Sequence, residues 1–259
     1  MERYTLITGA SSGLGKELAY LYAKDNNNLL LVSNEEEKLK NVAEEIKSSN
    51  PNIKVDYKVV DLSKQEEREA LFAYTKEQDY FINNLCNNAG FGEQKDFIDM
   101  DINFQLKMVE VNSSAVLYFS RVYLDDMIKH NEGHIINTCS IAGFLPGPYM
   151  CTYHATKGFT LLLGESISYE LRKTNVKCLT LCPGPFLSEF VSKAHNDYTF
   201  KKIKPVTAAT VAKQAYEKSK KGKSLHIVGF KNKLTIFASR FAPRSFVTKS
   251  SAKTMKKDA

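Results

Sequence analysis

Two kinds of hydrophobic pattern take turns along the chain. Short, nearly continuous apolar runs are typical of buried strands, and about seven occur: RYTLIT (3–8), NNLLLVS (27–33), IKVDYKVV (53–60), YFINNLC (80–86), GHIINTCS (133–140), VKCLTLC (176–182) and SLHIVG (224–229). Longer stretches with helical spacing separate them, at 16–25, 35–49, 63–78, 101–131, 150–173 and 207–220. Continuous apolar strands alternating with helices predict an α/β fold, a single doubly wound domain with a parallel sheet and helices on both faces.

The composition is that of an ordinary globular protein, with 43% hydrophobic and 25% charged residues in 259. No apolar run is long enough to predict a membrane-spanning helix, and the first residues, MERYTLITGA, fit the first strand better than a secretory signal. The five cysteines lack paired metal-ligand spacing. We therefore expect buried, reduced thiols in a cytoplasmic protein, and no metal site.

The positive charge is confined to one end of the chain. Residues 231–259 hold eight Lys/Arg and one acid, so 8 − 1 accounts for the whole net charge of +7. The remainder is neutral, which argues against a nucleic-acid-binding surface spread over the domain. Within this basic, partly amphipathic tail, Leu234, Phe237 and Phe241 share a helical stripe that Pro243 interrupts. The pattern is compatible with weak peripheral contact with an anionic membrane surface, and equally with a helix packed on the domain that is followed by a soluble end.

A glycine-rich loop, TGASSGLG at 8–15, lies between the first predicted strand and the first predicted helix. Glycines in this context let backbone N–H groups and a helix N-terminus approach a pyrophosphate. The spacing differs from the G-x-G-x-x-G form, but the strand–loop–helix setting indicates dinucleotide binding. A Rossmann-type domain over 1–230 follows, with the tail at 231–259 as a second part.

The same loop resembles the TGxxxGxG motif of the short-chain dehydrogenase/reductase family, and NNAG at 87–90 resembles that family's turn after the fourth strand. The motifs keep the family's order over residues 4–230. The resemblance implies a catalytic tetrad of Asn112, Ser140, Tyr153 and Lys157. It also implies the following cofactor-binding residues: Gly9, Ser11, Ser12, Gly13, Leu14, Gly15, Ser33, Asn34, Asp61, Leu62, Asn88, Ala89, Gly90, Tyr153, Lys157, Pro183, Gly184 and Ser188.

The residue types suit hydride transfer between a nicotinamide and a carbonyl or secondary alcohol. A phenol has a pKa near ~10, too high for proton exchange at neutral pH, and a neighbouring cation lowers it. Lys157 lies one helical turn after Tyr153 and can supply that charge while holding the cofactor ribose. Ser140 can hydrogen-bond the substrate oxygen. The resemblance assigns Asn112 to holding a water near the lysine.

Local spacing alone does not single out Tyr153. A tyrosine precedes a lysine by four residues five times, at Tyr20, Tyr153, Tyr169, Tyr198 and Tyr216. The family places a serine 13 residues before its tyrosine, and Ser140 stands there, at the end of a predicted strand. The residue 13 positions before each of the other four tyrosines is an apolar residue, a proline or a threonine of the same helix. Tyr153 is therefore the predicted proton-transfer centre.

Cofactor choice is read where the second strand ends. No Asp stands at Ser33 to repel a 2′-phosphate, and no Arg stands at Asn34 to bind one. The missing acid favours NADP(H); NAD(H) is the alternative because an acidic run, Glu35–Glu37, follows.

A hydrophobic ketone, alcohol or acyl derivative is the expected small-molecule substrate, between 143–150 and the loop 185–204. The following residues are predicted to line its pocket: Phe144, Leu145, Tyr149, Phe186 and Phe190. Lysines 193, 201, 202 and 204 either contact a phosphorylated carrier or are solvated.

The complete tetrad favours an enzyme over a catalytically silent NAD(P)-binding sensor or scaffold, which is the alternative function. An epimerase or dehydratase of extended type is disfavoured because little chain follows the last strand. The resemblance also implies a homodimer or homotetramer assembled through the helices at 101–131 and 150–173.

Overall fold

A computed structural model describes residues 1–187 and 206–255 of the chain. The strands are β1 (Glu2–Thr8), β2 (Asn28–Ser33), β3 (Val55–Val59), β4 (Tyr80–Asn87), β5 (Gly133–Thr138), β6 (Val176–Cys182), β7 (Phe186–Leu187), β8 (Val206–Thr207) and β9 (Leu225–Ile227). Within the described ranges, seven of them form one parallel sheet in the order β3-β2-β1-β4-β5-β6-β9. The predicted parallel sheet of about seven strands is confirmed.

Helices cover both faces of this sheet, as a parallel sheet requires. They are α1 (Gly13–Lys24), α2 (Glu36–Ser49), α3 (Gln65–Glu77), α4 (Ile102–Val109), α5 (Ala115–His130), α6 (Cys151–Glu170), α7 (Ala208–Lys220), α8 (Phe230–Ser239) and α9 (Arg244–Met255). Helices α1, α2 and α7 pack on one face, and α3, α5 and α6 on the other. The predicted doubly wound α/β domain is therefore confirmed.

Neighbouring residues on one strand enter different cores, which explains the continuous apolar runs. Leu6 and Ile7 of β1 are both fully buried, yet Leu6 packs with Phe119 of α5 while Ile7 packs with Leu18 of α1. Successive side chains of a strand point to opposite faces. Each such side chain contributes about 1.5–3 kcal/mol by leaving water.

The predicted helix at 101–131 differs from the observed structure. A π-helical turn, Glu110–Ser114, separates α4 from α5, and Asn112 lies inside it. Such a turn inserts one extra residue and redirects the side chains that follow. Hydrophobic periodicity does not detect this change because α4 and α5 keep similar apolar faces on either side.

The structure differs from the sequence-based expectations at three other places. The predicted loop 185–204 begins with β7, which pairs in parallel with β8 just after the loop, while residues 188–205 lie outside the described ranges. The tail forms two helices, α8 and α9, on either side of Pro243. Cys151 is exposed, so the expectation of five buried thiols is wrong at that position, which starts α6 on its solvent side.

The strand order places a crevice beside β1. The chain runs outward from β1 to β2 and β3, then returns to β4 on the other side of β1. The segments leaving β1 and β4 therefore turn to opposite faces, and a crevice opens at their carboxyl ends. None of the helices within residues 1–187 and 206–255 is long and apolar enough to cross a bilayer.

Candidate active site

The glycine loop after β1 depends on the absence of side chains. Gly9 has a φ of 66°, in the left-handed region that favours glycine. A Cβ on Gly15 would lie 2.1 Å from the carbonyl oxygen of Gly9. The tight turn that starts α1 therefore closes only with glycine at both positions.

The start of α1 fits an anionic group. Ser12, Gly13 and Leu14 line the cleft, and Ser12 makes no side-chain capping bond to the helix. The first turn contains no acidic residue. A helix N-terminus carries partial positive charge on its first N–H groups. These residues therefore suit the pyrophosphate of a dinucleotide, as predicted from the loop sequence.

Thr8, which the sequence analysis passed over, joins the two glycine-containing motifs. Its hydroxyl accepts hydrogen bonds from the backbone N–H groups of Asn88 and Ala89, at 2.9 and 3.0 Å. The Asn88 amide donates in return to the Thr8 carbonyl at 3.0 Å. The NNAG turn and the glycine loop are thus held side by side across the ends of β1 and β4. The threonine in TGASSGLG was the available signal.

The predicted adenosine end contains a short chain of hydrogen bonds. The Ser33 hydroxyl donates to Ser11 at 2.9 Å, and Ser11 donates to a carboxylate oxygen of Glu35, also at 2.9 Å. Lys38 lies 3.4 Å from the other carboxylate oxygen of Glu35. Ser11, Ser33, Asn34 and Glu35 all line the cleft. Glu35 was noted only as part of an acidic run, and tertiary folding turns it inward.

Asp61 and Leu62 line the opposite side of this end. Burial disfavours the charge on Asp61, but hydrogen bonds from Ser63 and Lys107 outweigh burial and lower its pKa. Lys107 forms an ion pair with Asp61 at 3.0 Å. The carboxylate is therefore ionised and fixed at the rim of the cleft.

Tyr153 and Ser140 meet at the other end of the cleft. Ser140 follows β5, and its hydroxyl accepts from the backbone N–H of Ala142 at 3.1 Å, which starts a short 3₁₀ turn. Tyr153, in the first turn of α6, hydrogen-bonds Ser140 through its side chain. Both side chains line the cleft. The spacing of 13 residues thus brings two hydroxyl groups together.

Lys157 lies one turn further along α6 and is buried, at 4% exposure. Its Nζ donates to the Thr138 carbonyl at 2.8 Å and lies 5.8 Å from the centre of the Tyr153 ring. A Cβ added to Gly90 would stand 3.0 Å from Oδ1 of Asn112 and 3.3 Å from Nζ of Lys157. Asn112 and Lys157 therefore converge on the glycine of the NNAG turn.

Asn112 is held at both ends of its amide. Its Oδ1 accepts from the Phe91 backbone N–H at 3.0 Å, and its Nδ2 donates to the Phe91 carbonyl at 2.8 Å and to the Thr156 hydroxyl at 3.1 Å. The π-helical turn directs this fully buried side chain toward α6. The structure thus groups the four predicted tetrad residues: Ser140, Tyr153 and Lys157 line one end of the cleft, and Asn112 is buried beside Gly90, which also lines it.

Burial is the largest cause of the pKa shifts of Tyr153 and Lys157. Burial raises the pKa of Tyr153 well above its ordinary value, although the hydrogen bond from Ser140 opposes it. Burial likewise lowers the pKa of Lys157. The Tyr–Lys spacing predicts that Lys157 lowers the phenol pKa. The structure shows the opposite net shift, because burial outweighs the other influences on Tyr153.

The C-terminal helices form a wall that the sequence analysis did not assign to the site. Twelve residues of α8, α9 and the segment between them line the cleft: Asn232, Leu234, Thr235, Ala238, Ser239, Ala242, Phe246, Val247, Ser250, Ser251, Thr254 and Met255. Gln94, which follows β4, donates to the Met255 carbonyl, so α9 reaches across to the loop after β4. Helical spacing at Leu234 and Phe237 signalled a helix but not its position.

The Pro183–Gly184 turn after β6 lines the same cleft and abuts α8. A Cβ on Gly184 would lie 2.4 Å from the amide of Asn232. That amide donates to the Val228 carbonyl at 2.7 Å, which fixes the first turn of α8 beside the turn. Ser188, the remaining predicted cofactor residue, lies outside the described residues.

The predicted apolar pocket is correct only in part. Leu145 and Phe186 line the cleft, whereas Phe144 packs under the loop against Cys139 and Leu161. Tyr149 is not part of the lining, because its backbone adopts a φ of 67° at the turn before α6. Phe190 and lysines 193, 201, 202 and 204 lie outside the described residues.

His154 is another residue that sequence reasoning missed. Its Nδ1 lies 2.8 Å from the Leu145 carbonyl, and a Cβ on Gly147 would collide with its ring. Burial lowers the pKa of His154, so the ring is neutral at physiological pH and fixes the loop above the cleft. Its position next to Tyr153 was the only signal in the sequence.

All these groups share one cleft of about 1190 Å³. That volume exceeds the 300–1,000 Å³ typical of a pocket for one small ligand. The cleft runs from the glycine loop and Glu35 to Ser140, Tyr153 and the C-terminal helices. Among the described residues, no three His, Cys, Asp or Glu side chains converge as they would around a metal ion.

Comparison with known proteins identifies the family. The family model described as short chain dehydrogenase matches residues 3–199, most of the chain. The chain belongs to the short-chain dehydrogenase family. The resemblance stated from the motifs is thereby confirmed.

Relatives of this short-chain dehydrogenase are named as oxidoreductases. An uncharacterized oxidoreductase of Staphylococcus saprophyticus is 31% identical over 183 residues, covering 71% of this chain and 78% of the relative. Another, of Staphylococcus aureus, is 28% identical over 204 residues, covering 79% of this chain and 86% of the relative. The chain is an enzyme of the oxidoreductase class.

Solved structures support the fold. A 7beta-hydroxysteroid dehydrogenase superposes with a TM-score of 0.86 at 23% identity over 96% of both chains. A short-chain dehydrogenase of Sphingobium yanoikuyae in complex with NADPH gives 0.82 at 22% identity over 93% of both chains.

Proposed function

We propose that this short-chain dehydrogenase interconverts a ketone and a secondary alcohol on an apolar molecule, with Tyr153 as the general acid and base. The observation that supports it best is the convergence of Ser140, Tyr153, Lys157 and Asn112 at one end of a single cleft. The other end of that cleft carries the helix N-terminus suited to a dinucleotide pyrophosphate.

In the reducing direction, the carbonyl carbon gains a hydride and its oxygen gains a proton. The glycine loop and the N-terminus of α1 would hold a nicotinamide cofactor, which would supply the hydride with its electron pair. The Ser140 hydroxyl donates a hydrogen bond to the carbonyl oxygen and stabilises the negative charge that develops there. The proton moves from the Tyr153 hydroxyl to that oxygen, which yields the alcohol. Oxidation of the alcohol reverses each transfer.

The raised pKa of Tyr153 makes the phenol a weaker acid, so proton delivery depends on a cation that stabilises the phenolate. Burial keeps the phenol protonated at neutral pH, so the proton to be delivered is present before the substrate arrives. Lys157 is then placed to stabilise the phenolate after transfer, by Coulomb attraction across the short gap between them. Asn112 positions this end of α6 through Thr156.

We propose NADP(H) as the cofactor. Ser33 provides a hydroxyl where an acid would repel a 2′-phosphate, and Lys38 stands beside the site. The Sphingobium yanoikuyae relative was solved with NADPH. NAD(H) is the alternative, favoured by the Glu35 carboxylate at the Ser11 hydroxyl, which is able to bind a ribose hydroxyl and repel phosphate.

The cofactor assignment is tested by comparing kcat/KM for NADPH and NADH in the wild type and Glu35→Gln. A preference for NADPH that increases in the variant supports the assignment, because the carboxylate beside Ser11 and Ser33 no longer opposes the 2′-phosphate. A wild-type preference for NADH overturns it. Glu36→Gln, on the next residue of the acidic run, is the matched control.

The lining of the cleft indicates the class of substrate. Apart from the tetrad, the end near Tyr153 presents Leu145, Met150, Phe186 and apolar residues of α8 and α9. Such a surface favours a bulky apolar ketone or alcohol over a charged one. One relative of similar fold is a hydroxysteroid dehydrogenase, and another is specific for bulky ketones; those substrates are properties of those proteins.

The reaction is tested with a panel of bulky apolar ketones and alcohols, followed by nicotinamide absorbance with each cofactor. Tyr153→Phe should retain cofactor affinity and lose turnover by about 10²–10⁴-fold, the usual contribution of a general acid. Tyr216→Phe, at another Tyr–Lys pair, should turn over at the wild-type rate. Wild-type turnover by Tyr153→Phe overturns the mechanism. Cofactor binding without turnover of any panel member would favour the silent sensor or scaffold.

We also propose that the enzyme assembles as a homodimer or homotetramer through α4, α5 and α6. Large apolar residues are exposed along these helices: Ile102, Leu106, Leu117, Phe159 and Leu162. An exposed apolar band on two neighbouring helices is typical of a subunit interface. Sedimentation velocity on Leu162→Asp measures the contribution of this band; an unchanged sedimentation coefficient overturns the assignment.

The division of the chain at residue 230 remains a prediction. The C-terminal part begins with α8 and supplies one wall of the cleft. Deleting residues after Phe230 should therefore alter the KM for substrate more than the cofactor dissociation constant. An unchanged KM would show that the wall is not used.

A further inference from the structure

The outer side of helix α8 carries a continuous apolar stripe. Phe230, Leu234 and Phe237 succeed one another by four and three residues, so they lie on one side of the helix, and Phe241 follows in the turn after it. They are 80%, 58%, 60% and 75% exposed. The rings of Phe237 and Phe241 contact each other edge to face at 5.2 Å. Ile236, on the inner side, is buried and holds the helix on the domain.

Positive charge surrounds this stripe without any negative charge. Residues 230–255 contain six Lys/Arg and no Asp or Glu. On α8, Lys231 lies on one side of the stripe, and Lys233 and Arg240 on the other, all exposed. Arg244, Lys249 and Lys253 extend the charge along α9. The surface thus pairs apolar side chains that favour leaving water with cations that favour an anionic neighbour.

We propose that helices α8 and α9 dock the enzyme on an anionic lipid bilayer, with the stripe Phe230–Leu234–Phe237–Phe241 inserted among the headgroups. A helix with aromatic residues on one side and Lys/Arg beside them is the pattern that binds at the interface of a membrane without crossing it. The negative surface of an acidic bilayer attracts each nearby Lys or Arg. The proposal does not depend on the reaction assigned to the cleft.

A second copy of the chain is the competing occupant, and the charges disfavour it. A two-fold dimer brings the same patch of each subunit together, so Lys231, Lys233 and Arg240 would face their equivalents. Like charges brought together at an interface are costly. The chain also has a separate apolar band on α4–α6 for self-association.

Docking here places the membrane next to the substrate end of the cleft. Leu234 belongs both to the exposed stripe and to the lining of the cleft, and Phe246 of α9 lies at the same border. An apolar molecule dissolved in the bilayer would therefore meet the cleft at its apolar wall. The membrane surface and the substrate wall are two sides of the same pair of helices.

Vesicle sedimentation of the full chain tests the proposal. Vesicles of equal parts phosphatidylglycerol and phosphatidylcholine should sediment the wild type, pure phosphatidylcholine should sediment far less, and added salt should release the protein. Lys231→Gln/Lys233→Gln/Arg240→Gln should weaken binding to the acidic vesicles by at least about tenfold. Phe237→Ser/Phe241→Ser should weaken binding comparably, because the inserted apolar surface is lost.

Matched controls remove the same groups elsewhere. Lys47→Gln/Lys129→Gln/Lys173→Gln neutralises three exposed lysines outside the tail, and Phe97→Ser/Ile98→Ser removes two exposed apolar side chains after β4. Both controls should bind as the wild type does. Failure of the wild type to bind acidic vesicles, or equal loss in the controls, overturns the proposal. So does a dimer that Phe237→Ser/Phe241→Ser dissociates in the absence of lipid.

Discussion

Two regions of this enzyme contain the same local arrangement, a tyrosine followed by a lysine one helical turn later. In α6, Nζ of Lys157 lies 5.8 Å from the centre of the Tyr153 ring, and in α7, Nζ of Lys220 lies 5.3 Å from that of Tyr216. The local geometry is nearly equal. The difference lies in what the rest of the fold places around each pair.

Around Tyr216 the fold places a counter-ion and solvent. Its hydroxyl donates to Asp25 of the segment after α1, and Lys220 binds the same carboxylate at 2.9 Å. Lys220 is 49% exposed in its side chain, and its hydrogen bond to Asp25 raises its pKa. Lys157 is buried, no carboxylate of residues 1–187 or 206–255 forms an ion pair with it, and burial lowers its pKa. The same spacing yields a surface ion pair in one region and a candidate proton-transfer group in the other.

Replacing the two lysines should separate the regions most strongly. Lys157→Met should lower turnover by roughly a thousandfold, within the range of a lost acid–base component, because no cation remains beside the phenol. Lys220→Met should leave turnover unchanged within about twofold and cost at most about 1 kcal/mol, as for an exposed ion pair. Steady-state kinetics and urea unfolding measure both. Equal losses of turnover would abolish the distinction.

The hydroxyl partners of the two tyrosines offer the next largest contrast. Ser140→Ala removes the donor facing the substrate oxygen and should lower kcat by about a hundredfold. Asp25→Asn should leave kcat unchanged and lower the pKa of Tyr216, because the Asp25 carboxylate raises it. Carbon-13 NMR of labelled tyrosine gives that pKa. A fall in kcat in Asp25→Asn equal to that in Ser140→Ala would contradict the comparison.

Thr156 provides a smaller test of how the buried pair is supported. Thr156→Val keeps the shape of the side chain but removes the hydroxyl that accepts from Asn112. We expect kcat to fall about tenfold, with the cofactor dissociation constant unchanged. Ser166→Ala on the exposed side of the same helix removes a comparable intrahelical hydrogen bond and should alter neither. A changed cofactor affinity in Thr156→Val would assign it a general structural role.

The contributions of Lys157 and Lys220 to stability should depend on pH with opposite signs. This is the smallest of the expected effects. The folded-state pKa of Lys157 is lowered, so its charge opposes folding at neutral pH, and that cost vanishes as pH rises past the unfolded pKa. The folded-state pKa of Lys220 is raised, so its contribution is present at neutral pH and lost as pH rises through that value.

Urea unfolding at pH 7 and near pH 11 measures this difference. As the pH rises, the free energy of unfolding of Lys157→Met should fall relative to that of the wild type. That of Lys220→Met should rise relative to it. Slopes of the same sign would show that the two lysines have similar environments.

Much of the architecture was readable from the order of residues. Alternating apolar runs predicted the parallel sheet because each strand of a two-faced sheet is buried on both sides, as Leu6 and Ile7 show. Glycines at 9 and 15 predicted the tight turn because a Cβ has no room there. The motifs also predicted which four side chains would meet. That their roles are catalytic stays a prediction.

Other features could not be predicted because they depend on contacts between distant segments. The π-helical turn that directs Asn112, the inward direction of Glu35 and the position of α8 and α9 against the cleft have no local signature. Phe144 looked like a pocket residue but packs beneath its loop.

By itself the sequence determined the α/β class, the glycine loop and the spacing that joins Ser140 to Tyr153, because hydrophobic periodicity and steric exclusion act between near neighbours. Tertiary structure alone decided that the Tyr153–Lys157 pair is placed beside the Ser140 hydroxyl while the Tyr216–Lys220 pair binds Asp25 at the surface. It also directed Lys157 to the Thr138 carbonyl and made the basic tail a wall of the cleft. The physical reason is that pKa and accessibility depend on every group within a few ångströms, and most of those groups lie far away along the chain.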